Sequence, residues 1–277
     1  MSALRKLPLP WGKVGLRAAA IAYLGLMVAL PVLTVARRGV SLGLGAMAKS
    51  LVHPVALAAV AITLETAAVM AVINAVMGTI VAYVLVRYRF PGKKLMNLVV
   101  DLPFSIPTLV AGLMIVALFG PEASMGRLLS RLGLRVLYAP PAIVIALLFV
   151  TLPFVVRAVQ PVLMEVDIAN EEAAYTLGAS EWTTFRKVLL PALAPALLTG
   201  TLLSFARALG EFGSIVVVAG NIPRRTLTAA VFVFGEVESG NLETASAMSL
   251  VLIAVSFSIL LSVDALQRRL FARQAPA

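Results

Sequence analysis

Six apolar runs, each 19 residues or longer with at most two charged side chains, constrain this chain more than any other feature. They cover about Ala18–Ala36, a stretch within Val55–Val86, Leu95–Phe119, Ala142–Leu163, Ala192–Ala219 and Thr244–Leu266. A helix needs roughly 17–25 mostly apolar residues to cross the hydrocarbon core of a bilayer. In lipid only structures that satisfy their own backbone groups survive, which here means helices. The second run exceeds one span and leaves room for an interfacial turn. The expected fold is an all-α, polytopic membrane bundle of about six transmembrane helices, with residues 1–277 as one transmembrane domain.

Composition agrees. Of the 277 residues 61% are hydrophobic and 13% charged, whereas soluble domains carry about 45–50% and about 25%. Disorder is excluded by the hydrophobicity, and a disulfide-stapled domain by the absence of cysteine. The net charge of +10 would suggest nucleic acid in a soluble chain. Here the positive charges sit between apolar runs, without interleaved aromatics, so they report topology and no nucleic-acid partner. With both tails inside, fourteen Lys and Arg fall in the cytoplasm, including Arg5, Lys6, Lys13, Arg17, Arg87, Arg157, Arg186, Lys187, Arg268, Arg269 and Arg273. Eight fall outside: Arg37, Arg38, Lys49, Arg127, Arg131, Arg135, Arg224 and Arg225. The positive-inside rule therefore places both termini in the cytoplasm, with Arg127, Arg131 and Arg135 working against the bias. The first run is too long for a signal-peptide h-region, and Arg37-Arg38 stands where small residues would mark cleavage.

No catalytic constellation is readable. There is no phosphate-binding loop, and a single histidine (His53) without cysteine cannot build a metal cluster. His53, next to Pro54, reads as incidental. The strongest signal lies between the fourth and fifth runs, at about 165–191. Glu171 and Glu172 suit a helix N-terminal turn, Gly178 a C′ position and Ser180 the N-cap of a second helix. Trp182 and Phe185 then share a face at i, i+3, and Pro191 limits or kinks the entry to the fifth span. Such an amphipathic knob fits two roles equally: docking a cytoplasmic partner, or lying on lipid headgroups.

Glu172-Ala173-Ala174, then Gly178, then Val188-Leu189-Leu190-Pro191 at the spacing Glu-Ala-Ala, three residues, Gly, nine residues, aliphatic, one residue, Leu-Pro, resembles the EAA loop of binding-protein-dependent ABC importer permeases. Only Val188, where isoleucine is usual, departs from it. Further blocks extend the likeness from about Pro54 to the C-terminus: Arg87-Tyr88-Arg89-Phe90-Pro91-Gly92-Lys93, Asp101-Leu102-Pro103-Phe104, Leu152-Pro153-Phe154-Val155-Val156-Arg157, Arg207-Ala208-Leu209-Gly210-Glu211-Phe212-Gly213 and Gly220-Asn221-Ile222-Pro223. They are similar to the sulfate/thiosulfate permease T subunits, with molybdate permease B subunits as close cousins. Ala229-Ala230-Val231-Phe232 departs from the proline-containing run usual in the sulfate group. The resemblance implies a type I ABC importer permease fold in the bacterial inner membrane, with no enzymatic activity and no cofactor in this chain. It also implies a cytoplasmic ATP-binding subunit dimer docked on Glu172, Ala173, Ala174, Gly178, Trp182, Phe185, Leu190 and Pro191, and a periplasmic oxyanion-binding protein. The sulfate likeness implies a second, different permease subunit; the molybdate likeness implies a homodimer.

Arg207 and Glu211 fall inside the fifth run at i, i+4, and so on one helix face. An ion alone in hydrocarbon costs on the order of 2.5–3.5 kcal/mol. The pair therefore either lines the translocation path, with Arg207 offering a planar fork to an oxyanion, or neutralises itself as a packing lock. Gly210 and Gly213 are expected to permit close helix approach. Glu65 and Asn74 also need partners, while Asp101 and Asp264 are expected at helix ends within reach of headgroups. Pro103 and Pro107 interrupt the third run, and Pro191 and Pro195 the start of the fifth. A secondary transporter would need internal repeats, which the sequence does not show.

Overall fold

The computed structural model of the protein describes residues 10–41, 43, 45, 48 and 52–271. Arg5, Lys6, Lys49 and Arg273 lie outside the described residues, as do the side chains of Lys13, Asp264, Arg268 and Arg269. Among the described residues five helices are long and apolar enough to cross a membrane, or six if one bent pair counts as a span.

The first helix, α1, runs through Pro10–Leu24, a π-helical turn Gly25–Ala29 and Leu30–Val40. The second, α2, is Pro54–Arg87. Its N-cap is His53, whose Nδ1 accepts from the Val55 N–H at 3.4 Å, so the histidine has a local capping role. The long second run is one unbroken helix of 34 residues, about 51 Å, and holds no interfacial turn. Its buried positions Ala56, Ala59, Thr63, Ala67, Ala71, Asn74, Gly78 and Ala82 recur every three or four residues, all but Asn74 small. A stripe of small side chains lets neighbouring backbones approach closely, the main source of helix association in lipid.

The third run is two helices, α3 (Lys93–Ser105) and α4 (Thr108–Phe119), bent by 115°. Pro103 lies inside α3, so Pro107 makes the break. It lacks an N–H and pushes the preceding residue out of the helical region, and Ile106 is extended at φ −88°, ψ 127°. A short helix α5 (Ser124–Arg131) follows, then α6 (Pro140–Glu165). Val100 of α3 packs with Val155, Val159 and Leu163 of α6, whereas Ile115 of α4 packs with Ala142 and Ala146. The two halves thus touch opposite halves of α6, and the bent pair carries the chain from one end of the bundle to the other.

A loop helix α7 (Ile168–Thr176) leads to α8, which comprises Glu181–Thr184, a π-helical turn Phe185–Leu189 and Leu190–Leu209. Both π turns precede a Leu-Pro pair, Leu30-Pro31 and Leu190-Pro191. In each the leucine N–H donates five residues back, to Gly25 and Phe185. A proline ring clashes with the carbonyl four residues earlier, and widening the preceding turn absorbs that clash. Pro191 therefore enters α8 without breaking it, and Pro195 lies within the same helix.

The fifth run does break, at Gly210–Phe212, before the short helix α9 (Gly213–Val218). The chain closes with α10 (Ala229–Glu238) and α11 (Leu242–Phe271). Against α11 packs the second half of α1, where Gly39 lies close to Leu250 and Ala247.

The core joins α2, α6 and α8. One half holds Ala67, Met70, Ile143, Leu147, Ala208 and Leu209; the other holds Ala82, Leu85, Val155, Val159, Leu163, Leu189 and Leu193. Between them Asn74 Nδ2 donates to Thr151 Oγ at 2.7 Å. Thr151 Oγ donates to the Leu147 carbonyl at 2.7 Å, and Ser204 Oγ donates to the Thr151 carbonyl at 3.2 Å. This buried knot gives Asn74 its partner and ties the middle of α2 and of α6 to the last turns of α8. Glu65, by contrast, is exposed on the surface of α2.

At Gly200, where α8 crosses α6, an added Cβ would lie 2.9 Å from Val155 Cα and 3.1 Å from the Phe154 carbonyl oxygen. Gly200→Leu is expected to destabilise the bundle by about 1–3 kcal/mol or more through overpacking, read as a lower melting temperature in detergent. Gly235→Ala, where nothing lies within 4 Å, leaves it unchanged or raised.

Candidate functional site

The loop between α6 and α8 forms a compact knob. Asp167 caps α7, its Oδ1 accepting from the Ala169 N–H at 3.0 Å, so the helix starts one turn before Glu171-Glu172. At the other end Gly178 N donates to the Tyr175 carbonyl (2.9 Å) and Ala179 N to the Ala174 carbonyl (3.0 Å). These two bonds are the Schellman pattern, and Gly178 adopts φ +81°, a conformation that costs a side chain about 1 kcal/mol or more. Ser180 Oγ then accepts from the Thr183 N–H at 3.3 Å and starts the next turn, as its residue type implied.

Trp182 and Phe185 stack with ring centroids 5.8 Å apart. Trp182 is 67% exposed and Leu177, at the knob's tip, 88%. Glu172, Ala173 and Gly178 are exposed too, while Ala174, Phe185 and Leu190 are partly buried and Pro191 exposed. The expected loop residues are therefore gathered in one small body, and most reach its surface. Glu171, the neighbour outside the motif, behaves differently. It is buried, with Oε1 2.6 Å from Arg87 Nη2 at the end of α2.

The second cluster lies at the break after α8. Arg207 sits in the last turn of α8, and Glu211 is not on that helix but in the gap. The pair forms nonetheless, with Nη2 2.9 Å from Oε2. Glu211 Oε1 accepts from Ser214 N at 3.0 Å and Ser214 Oγ at 2.9 Å, so the carboxylate also satisfies the start of α9. The side chains are 37% exposed for Arg207 and 1% for Glu211. Glu211 is held by Arg207 and by two hydrogen bonds from Ser214, whereas the guanidinium stays partly exposed. Gly213 abuts Thr108 and Leu109 at the start of α4, with an added Cβ 2.9 Å from Leu109 N; Gly210 has nothing within 4 Å. The expected close approach holds for Gly213 alone.

A third cluster went unassigned in the sequence. Arg157 Nε donates to Asp101 Oδ1 at 2.7 Å and Nη2 to Oδ2 at 2.6 Å, a bidentate pair. Nη1 also donates to Asn97 Oδ1 at 3.1 Å and to Gln160. Asp101 thus faces a specific cation rather than only headgroups, and α3 is fastened to α6. The 56-residue separation of the pair left no periodic signal to find it by.

Residues 74–275 match the family described as binding-protein-dependent transport system inner membrane component. The chain belongs to that family. Within it, this permease is 44% identical over 246 residues to a probable sulfate transport system permease protein CysT of Zygnema circumcarinatum, covering 89% of this chain and 85% of the relative. It is 41% identical over 248 residues to the sulfate transport system permease protein CysT of Synechocystis sp. (90% and 87%). Against that of Escherichia coli the identity is 43% over 217 residues (78% of each). The permease fold superposes on a chain of a bacterial alginate ABC transporter in complex with alginate pentasaccharide-bound periplasmic protein, with TM-score 0.78, 16% identity and 94% of both chains covered. A chain of the inward-facing MetNI methionine ABC transporter superposes with TM-score 0.59 and 20% identity, covering 81% and 97%. The expected all-α permease fold is thereby shown.

Removing Arg207 strands a buried carboxylate, whereas removing Glu211 leaves a guanidinium that is already partly exposed. Arg207→Gln is therefore expected to lower the melting temperature more than Glu211→Gln, at a cost on the order of 3 kcal/mol. The double variant recovers most of it. Differential scanning fluorimetry of the four detergent-purified proteins ranks them.

Proposed function

We propose that this chain is the pore-forming subunit of an ATP-driven importer of tetrahedral oxyanions, with sulfate as its cargo. The observation that carries the reading is the identity of 41–44% with sulfate transport permeases over about nine-tenths of the chain. The knob supports it physically. Leu177 and Trp182 project from a body braced by two capped turns, which suits insertion into a groove of an ATP-binding subunit better than lying flat on headgroups. The partners are an ATP-binding subunit dimer, a second permease subunit and a periplasmic oxyanion-binding protein. Hydrolysis belongs to the ATP-binding subunits.

The loops fall at two ends of the bundle. Arg87, Arg89, Lys93, Lys94, Arg186 and Lys187 share one with the α7 knob; the other gathers Arg127, Arg131, Arg135, Arg224 and Arg225, through the hydrogen bond of Tyr138 N to the Val218 carbonyl (3.0 Å). By the positive-inside rule the knob end faces the cytoplasm, together with both termini.

Glu211 serves as the anchor and Arg207 as the group that meets the anion. A guanidinium held at one edge by a fixed carboxylate has its other edge free for a bidentate contact with an oxyanion. Sulfate then passes from one half-neutralised donor set to water without being held tightly.

Two measurements test the reading. Leu177→Asp is expected to leave the permease in the membrane but abolish co-purification of the ATP-binding subunit; retained association contradicts the docking role. Arg207→Lys keeps the charge and loses the fork, so sulfate uptake falls roughly tenfold, about 1.4 kcal/mol in the barrier, with assembly intact. Unchanged uptake removes Arg207 from the path.

A further inference from the structure

Glu171 is the one buried residue of α7, and it is charged. A surface helix ordinarily docks through an apolar stripe; α7 presents none to the bundle. Its inward contact is Glu171 Oε1, 2.6 Å from Arg87 Nη2, with side chains 7% and 12% exposed. Arg87 is the last residue of α2, and its Nη2 also donates to the carbonyl of Val166 at 3.0 Å, at the end of α6. One guanidinium therefore holds together the ends of two bundle helices and the knob.

The contact is poor as glue. Glu171 Oε1 is close to the guanidinium but makes no aligned hydrogen bond, and Arg87 Nε is buried with no acceptor. A buried pair stabilises only when its geometry is excellent and its remaining donors are satisfied; otherwise apolar side chains of the same size serve better. What such a pair does supply is direction, because it resists separation of two specific points and breaks at a definite displacement.

We propose that Arg87 and Glu171 are positioning residues forming the joint through which movement of α7 is passed to α2, and so to the core helices packed along it. This rests on the docking reading of the knob. A force applied at Leu177 by an ATP-binding subunit enters α7, and this pair is its charged link to the end of α2. From Arg87 it runs along an unbroken helix to the Asn74–Thr151 knot that fastens α6 and α8. Removing the joint leaves the knob docked and the pore intact, but disconnects them.

The test compares Glu171→Gln, Arg87→Gln and the apolar double variant Arg87→Met, Glu171→Leu in proteoliposomes containing the assembled importer. The readout is sulfate transported per ATP hydrolysed. The joint predicts that all three co-purify with the ATP-binding subunit and hydrolyse ATP, while transport per ATP falls roughly tenfold, within the usual range of coupling energies. If the singles fail to accumulate, the double variant, which strands no buried charge, decides alone. Recovery of normal transport per ATP in the double variant overturns the proposal, since the pair then only neutralises itself. Leu177→Asp separates the two readings: if it keeps the ATP-binding subunit, docking fails; if it loses that subunit while the Arg87 and Glu171 variants couple normally, only the joint fails.

Discussion

A polar group at membrane depth is costly unless it finds a partner within the bundle, because hydrocarbon offers none. That requirement organises the rest of the structure. The core is lined with small side chains, so helices meet closely along α2, and the few polar residues between them become fixed points. Asn74 and Thr151 hold α2 to α6 at mid-length, Arg157 and Asp101 hold α3 to α6, and Arg207 and Glu211 hold the end of α8 to the start of α9. Each joins elements that apolar contact alone would let slide.

The same requirement explains where the backbone departs from straight helices. At the break after α8 the first N–H groups of α9 would be orphaned, and the Glu211 carboxylate meets the Ser214 N–H. At the two Leu-Pro sites the chain widens by one residue instead of opening, so the rods continue. An interrupted helix at membrane depth is tolerated only where protein buries it or water lines it. Here Glu211, buried and paired with the partly exposed Arg207, supplies that burial.

Much of this was legible in the sequence. The number of apolar runs, the cap at Ser180, the turn at Gly178 and the Trp182–Phe185 face all follow from local chemistry, which is why they came through. The break at Gly210–Phe212 was hidden because no proline marks it and the apolar run continues across it. The Arg207–Glu211 pair was found for an incomplete reason, since the contact survives although the helix does not. Glu171 was overshadowed by its neighbour Glu172. Both read as acids near a helix start, and only the tertiary position of Arg87 tells the buried one from the exposed one. Asp101 and Arg157 likewise needed the bend at Pro107 to bring α3 onto α6.

On this reading the chain forms the path for sulfate in an ATP-driven importer. The direct measurement is radiolabelled sulfate flux into proteoliposomes holding this permease with its ATP-binding and second permease subunits. ATP is supplied on the face bearing the α7 knob and loaded binding protein on the other. Sulfate accumulation is expected to need both and to be suppressed by excess thiosulfate. Accumulation that ignores ATP, or flux of molybdate with none of sulfate, would contradict it.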